Sequence, residues 1–202
     1  MLINVAAIIE LQTKMVERWH QQDVDNPLDG FFNIVCQEHQ FNFLLWHEED
    51  IARNPHVTDA CIAKVKRAID RYNQQRNDWI ERIDDSICKH PRLTSVQCES
   101  TMPLNTETPG SAIDRLSILS LRIFHLREQL ERADVDPSHR HGVLQKLSIA
   151  LEQQSELANS LQQLLDDIFS GHKRHRMYRQ MKMYNDPTLN PQMYAVQQRR
   201  AG

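Results

Sequence analysis

"CIAKVKRAIDRYNQQRNDWIERIDDSIC", residues 61–88, decides the fold class. Wound at about 100° per residue, it places Ile62, Val65, Ile69, Ile80, Ile83 and Ile87 on one stripe, the pattern of an amphipathic helix. Near the middle of that stripe stands Arg76, with Asn73 beside it and Asn77 at its edge. A permanent cation and two amides where a core belongs point to a buried polar site.

The neighbouring segments read the same way. Thr58 or Asp59 caps this helix, and the preceding one runs from about Gly30 to Arg53. It stops at Asn54-Pro55, because the residue before proline avoids the helical region. A first helix, roughly Leu2 to Gln22, ends at the turn cluster "DVDNPLDG". After Cys88, "PRLTSVQCESTMPLNTETPG" (91–110) carries three prolines and no helical period, which predicts a long irregular loop. Ser111 and Asp114 resemble a capping box that opens a fourth helix bearing Leu116, Leu119, Ile123, Leu126 and Leu130. The fifth, about 137–170, has Leu144, Leu147, Leu151, Ala158, Leu161, Leu165 and Ile168 in alternating steps of three and four broken only by Gln154, a bundle seam that also suits a homodimer. Gly171 is its natural C-cap. No stretch alternates with period two. The expectation is an all-α fold: a bundle of about five helices in a single domain over 1–170, with a loop at about 90–110.

Composition bounds the function. Only 5 glycines stand among 202 residues with 40% hydrophobic and 25% charged side chains, as suits long helices with few tight turns. Cys36, Cys61, Cys88 and Cys98 form no CxxC pair and are too few for a disulfide framework, so reduced thiols are expected. The N-terminus lacks a basic n-region, and no apolar run reaches membrane-spanning length. A cytoplasmic chain with no membrane span is the expectation. The net charge of −3 hides an asymmetry: residues 171–202 hold seven cations against Asp186, a formal +6, leaving −9 elsewhere. This basic tail, with Tyr178, Tyr184 and Tyr194, is expected to dock on the acidic body. Nucleic acid is not the expected partner, since an acidic chain presents no extended field for a polyanion.

The helix before the opening stretch repeats its anomaly. Glu38, Asn42, Leu45 and Glu49 lie along one line, flanked by Ile34, Val35, Phe41 and Trp46, with Arg53 beside them. An isolated buried charge costs several kcal/mol, so Glu38 or Glu49 is expected to meet Arg76, with the amides of Asn42, Asn73 and Asn77 satisfying the remaining groups. Two readings compete. One is an ion-pair network that only fixes helix register. The other is a pocket in which Arg76 binds an anion through its planar fork and Glu49 orients it.

A rotated stripe carries Asp70, Asn77, Glu81 and Asp84, with His47 and Asp50 close by in the preceding helix. Oxygen ligands such as Asp50, Glu81 and Asp84 suit Mg²⁺ or Mn²⁺, although acidic residues on a helix flank are more often a solvated face. A diiron site wants two Glu-x-x-His pairs, and only Glu17 with His20 qualifies. No Walker loop, GxSxG or zinc-ligand spacing occurs, and His139 and His141 read as surface residues. "NTETPGSAIDRLS", 105–117, places a helix N-terminus behind a Thr/Ser/Gly-rich turn, a further place for an anion.

"LWHEEDIAR" (45–53), "KRAIDRYNQQRNDWIERID" (66–84), "NTETPGSAIDRLSIL" (105–119) and "KMYNDPTLNP" (182–191) together resemble DUF4254, a bacterial domain-of-unknown-function family. The resemblance implies a stand-alone all-helical bacterial protein and carries no activity with it. It also implies that the loop, the second and third helices and the tail belong to one motif set.

The reading that follows is a polar inter-helix cleft for a small anionic metabolite, a sugar phosphate or nucleotide. Its expected ligand-binding residues are Asn42, Glu49, Arg53, Asn73, Arg76, Asn77 and Asp114. The alternatives are a divalent-metal phosphohydrolase using Glu49, Asp50, Glu81 and Asp84, and a non-catalytic scaffold. Whether the chain is an enzyme stays open at this stage.

Overall fold

A computed structural model describes residues 3–94, 101–181, 183, 186 and 188–191. Six α-helices follow in order: α1 (Val5–Trp19), α2 (Gly30–Arg53), α3 (Asp59–Cys88), α4 (Pro91–Thr94), α5 (Pro109–Glu131) and α6 (Pro137–Phe169). No strand occurs among the described residues, and the fold is an all-α bundle. The expected count of about five is one short. Pro91, whose fixed φ suits a first helical position, opens the single turn of α4 inside the stretch expected to be irregular. The expectations for Cys98, Lys182, Tyr184, Tyr194, Arg199 and Arg200 fall outside the described residues.

The helix ends follow side-chain chemistry. Asn4 accepts from the Ala6 and Ala7 N–H groups, Thr58 from Cys61, and Asp136 from His139. At the end of α6, Gly171 adopts φ 75°, which only glycine takes without strain. The Gly171 and His172 N–H groups then bond back to Ile168 and Asp167, closing the carbonyls of the last turn.

Helix α5 is the centre of the bundle and touches α1, α2, α3 and α6. Its Ala112, Ile113 and Leu116 join Val5 and Ile8 of α1, Val35 of α2, Ile83 and Ile87 of α3, and Leu161 and Leu165 of α6 in the main core. A second cluster gathers Met15, Val16 and Trp19 of α1 with Cys36, Phe43 and Leu121. Each buried Val, Leu, Ile, Phe or Met among them contributes about 1.5–3 kcal/mol by leaving water. Because α5 is enclosed, its inward polar residues Asp114, Ser117 and Ser120 must find partners inside the protein.

The start of α5 departs from expectation. Thr108, not Ser111, is the N-cap, and its hydroxyl accepts from the Ser111 N–H. Asp114 is thereby freed from capping and faces the interior. The N-terminus expected to attract an external anion already holds one: Gly110 N–H donates to the buried Asp84 carboxylate at 2.7 Å. A Cβ at Gly110 would lie 2.6 Å from the Ile80 carbonyl and 2.9 Å from the Asp84 carboxyl carbon. Gly110→Ala therefore has to push α5 off α3. We expect a loss of about 1–3 kcal/mol in urea denaturation, and a loss below about 0.5 kcal/mol would show that the contact is slack.

Helix α6 only partly matches its expected seam. Leu161, Leu165 and Ile168 are buried, whereas Leu144 and Leu151 are 50% and 40% exposed. Val143 and Ala150 face inward in their place. Beyond α6 the chain returns to α3: His175 Nε2 lies 3.2 Å from the Asp84 carbonyl, and Arg179 pairs with Glu81 and Asp85. No helix among the described residues is long and apolar enough to cross a membrane.

Candidate functional site

The α2–α3 hairpin and α5 meet along a line of buried polar groups. Arg76 of α3 grips Asp114 of α5 with two parallel bonds, Nε to Oδ1 and Nη2 to Oδ2, both 2.6 Å. This corrects the expected partner. Glu49 is instead 40% exposed and pairs with Arg53 one turn on at 3.0 Å. Glu38 lies one partner further in, behind Asp114. The reason is geometric: α5 wedges against the hairpin, and Asp114 reaches the guanidinium first.

Asn42 links the rest. Its Nδ2 group donates to Glu38 Oε1 at 2.5 Å, and to Asp114 Oδ1 and Ser117 Oγ at 2.9 Å each. Ser117 in turn lies 2.7 Å from His39 Nδ1, and His39 Nε2 lies 2.9 Å from the Gln12 carbonyl. A carbonyl only accepts, so Nε2 carries the proton and Nδ1 accepts from the Ser117 hydroxyl. Gln12 donates to the Ile113 carbonyl and accepts from Ser120, which accepts from Gln154. The network thus runs from the half-buried Arg76 through the middle of the bundle to α1 and α6.

Its electrostatics are set by burial. Desolvation, helped by the neighbouring Asp114 charge, pushes the Glu38 carboxyl well above its usual range. That direction favours the protonated form of Glu38, whose interaction with Asp114 raises Glu38 and lowers Asp114. Burial alone would raise Asp114 too, but hydrogen bonds from Arg76 and Glu38, the Arg76 charge and Asn42 outweigh it and leave it low. Burial lowers His39 to about 4. Ser117 and His39 are wholly buried, so their pairing is not an accessible nucleophile and base.

Outside Arg76 lies an open groove of about 360 Å³. Asn42, Glu49, Arg53, Asn73 and Arg76 line it, with Trp46 and Leu45 as its apolar wall. Five of the seven expected ligand residues are thus brought together. Asp114 stands behind Arg76, and Asn77 is half-buried but does not line the groove. Among the described residues, Arg76 Nη1 and the Asn73 side chain have no protein partner. A larger groove of about 550 Å³ runs between α5 and α6, but its polar lining residues are all exposed side chains with no network behind them.

The carboxylates considered for Mg²⁺ or Mn²⁺ are not gathered. Asp50 lines the groove, Glu81 holds Arg179, and Asp84 is buried against Gly110. Burial raises the Asp84 carboxyl, against the Thr108 and Gly110 hydrogen bonds and the nearby His175.

A family model described as a protein of unknown function (DUF4254) matches residues 32–177. The chain belongs to the DUF4254 family. The DUF4254 span takes in the whole groove and the Glu38–Asp114–Arg76 network, and leaves Gln12 and His20 of the first helical segment outside. No curated protein and no solved structure matches the chain.

Sequence reasoning passed over His39, Gln12, Ser117 and Ser120. The legible signal was polar residues in register with apolar stripes: Gln12 follows Ile8 by four, and Ser117 follows Asp114 by three.

Proposed function

We propose that the groove beside Arg76 binds a small anionic metabolite that also carries hydroxyl groups, a sugar phosphate or nucleotide, in the bacterial cytoplasm. One observation carries this reading. Asp114 holds the Arg76 fork rigid while Nη1 stays unused at the groove wall. A guanidinium fixed in this way loses little conformational entropy when it meets an anion. Arg53 supplies a second cation at the rim, and Glu49 and Asp50 provide acceptors for hydroxyls. The groove has no cationic surplus, which favours a ligand of mixed donors and anion over inorganic phosphate alone.

A thermal-shift panel of sugar phosphates and nucleotides tests this. Stabilisation grows as RT ln(1 + [L]/Kd), so a binding ligand gives a shift that climbs with concentration, and a flat panel contradicts the reading. Asn73 distinguishes function from architecture. Since its side chain bonds nothing else among the described residues, Asn73→Ala is expected to change ligand-free stability by no more than about 0.5 kcal/mol while weakening the ligand-dependent shift.

A non-catalytic scaffold is the second reading, favoured by the exposure of Leu144 and Leu151, two turns apart on α6. A homodimer through this helix would cover them, and sedimentation of Leu144→Glu beside the wild type would reveal it.

A further inference from the structure

We propose that His20, His47 and His125 form a binding site for a zinc-class divalent transition metal, tying the end of α1 to α2 and α5. Their ligand nitrogens all lie within 4.8 Å of one another. In each ring Nε2 is buried and has no hydrogen-bond partner.

The tautomers follow from what the other nitrogens face. His20 Nδ1 lies 2.8 Å from the Val16 carbonyl, an obligate acceptor, so Nδ1 bears the proton and Nε2 a bare lone pair. His125 Nδ1 lies 2.6 Å from the Glu128 carboxylate, with the same consequence. Two buried lone pairs thus converge on a third unpartnered nitrogen, an arrangement that protein atoms alone leave unsatisfied. A cation resolves it.

The surroundings hold the rings in place. His20 stacks on Phe124 with centroids 4.2 Å apart, His125 stacks on Trp46 at 4.9 Å, and His47 meets Phe43 edge-on at 4.5 Å. The Glu128–His125 contact is the carboxylate–imidazole pairing that commonly orients a metal ligand. His20 is the C-cap residue of α1, where the negative end of the helix dipole favours a cation.

The donor set selects the ion. Three imidazoles suit zinc, copper, nickel or iron, whereas Mg²⁺ and Ca²⁺ take oxygen ligands. Tetrahedral zinc with Zn–N of about 2.0–2.1 Å needs ligand nitrogens about 3.3 Å apart, so the rings close by small rotations on binding. Three protein ligands leave a fourth position for water or another small ligand. The three histidines come from the end of α1, from α2 and from α5 with no local spacing, which is why no sequence motif announces them.

Titration of the full chain with Co²⁺ reads the site directly. The expected result is one equivalent bound, with visible bands of nitrogen-ligated Co²⁺, displacement by Zn²⁺ and no thiolate charge-transfer band. His47→Ala should abolish the visible bands. The half-exposed Glu128→Gln, which leaves all three ligands present, should weaken affinity roughly tenfold to hundredfold. Should His47→Ala fail to fold, Glu128→Gln decides alone. Absence of the bands at millimolar Co²⁺, a thiolate band in their place, or affinity unchanged in these variants would overturn the proposal.

Discussion

Arg76→Leu is expected to cost about 3–5 kcal/mol at pH 7, because it strands the Asp114 carboxylate beside Glu38 with no cation. The Asp114 side chain is only 7% exposed and cannot turn to water. The loss should depend on pH in a defined direction. In the wild type Asp114 is held below its ordinary value of 3.8, so its contribution is present above that pH and disappears as pH falls through the folded value. The penalty of Arg76→Leu should therefore be smallest in acid, where Asp114 is protonated in either chain, and largest at neutral pH. Urea denaturation at a series of pH values measures this. A loss below about 1 kcal/mol with no pH dependence would mean that Arg76 is solvated and the pair is ornamental.

Glu38→Gln is expected to stabilise the protein at neutral and alkaline pH. Glutamine reproduces the neutral acid: its carbonyl accepts from Asn42 and its amide donates to Asp114. The wild-type carboxyl is raised above its ordinary 4.5, so its contribution is complete below that pH and is lost as pH rises through the folded value. Across that window the folded chain keeps a proton that the unfolded chain releases, costing about 1.4 kcal/mol per pH unit. His39 has the opposite effect. Lowered from 6.5 to about 4, it costs stability as pH falls through that interval. The two oppose each other above the ordinary Glu38 value, and on the alkaline side the raised Cys36 and Cys88 thiols act in the same direction as Glu38. The raised Asp84 carboxyl adds to the Glu38 effect at its lower end, so the variant-minus-wild-type difference is the quantity to measure. A difference curve flat from acid to alkaline pH would mean that Glu38 is ionised in the folded chain.

How much of this was legible in the sequence depended on which links were local. The stripe from Ile62 to Ile87, the stop at Asn54-Pro55 and the Gly171 cap are determined by neighbours within a turn or two, and α2, α3 and α6 follow them. Arg76 was legible as a buried cation because it interrupts a stripe. Its partner was not, because Asp114 lies 38 residues away on a helix whose angle to the hairpin no periodicity encodes. Asp114 also carried a false local signal, since three residues after Ser111 it mimics a capping box. Asp84 misled in the opposite sense. It shares a flank with Glu81 that looks solvated, yet Gly110 has no Cβ and lets α5 close over it. The exposed half of the α6 seam shows the complementary limit, since a heptad pattern records a helix face but not how far its partner extends.

The most direct test of a ligand site at Arg76 is chemical denaturation of Arg76→Lys and wild type, with and without the strongest stabiliser from the metabolite panel. Lysine keeps the charge facing Asp114 but loses the planar fork, so it cannot clamp the carboxylate and also present a fixed edge to the groove. The expected result is a modest fall in ligand-free stability and a near-complete loss of the ligand-dependent increment. An increment of wild-type size in Arg76→Lys would contradict it and leave the Arg76–Asp114 pair as architecture alone.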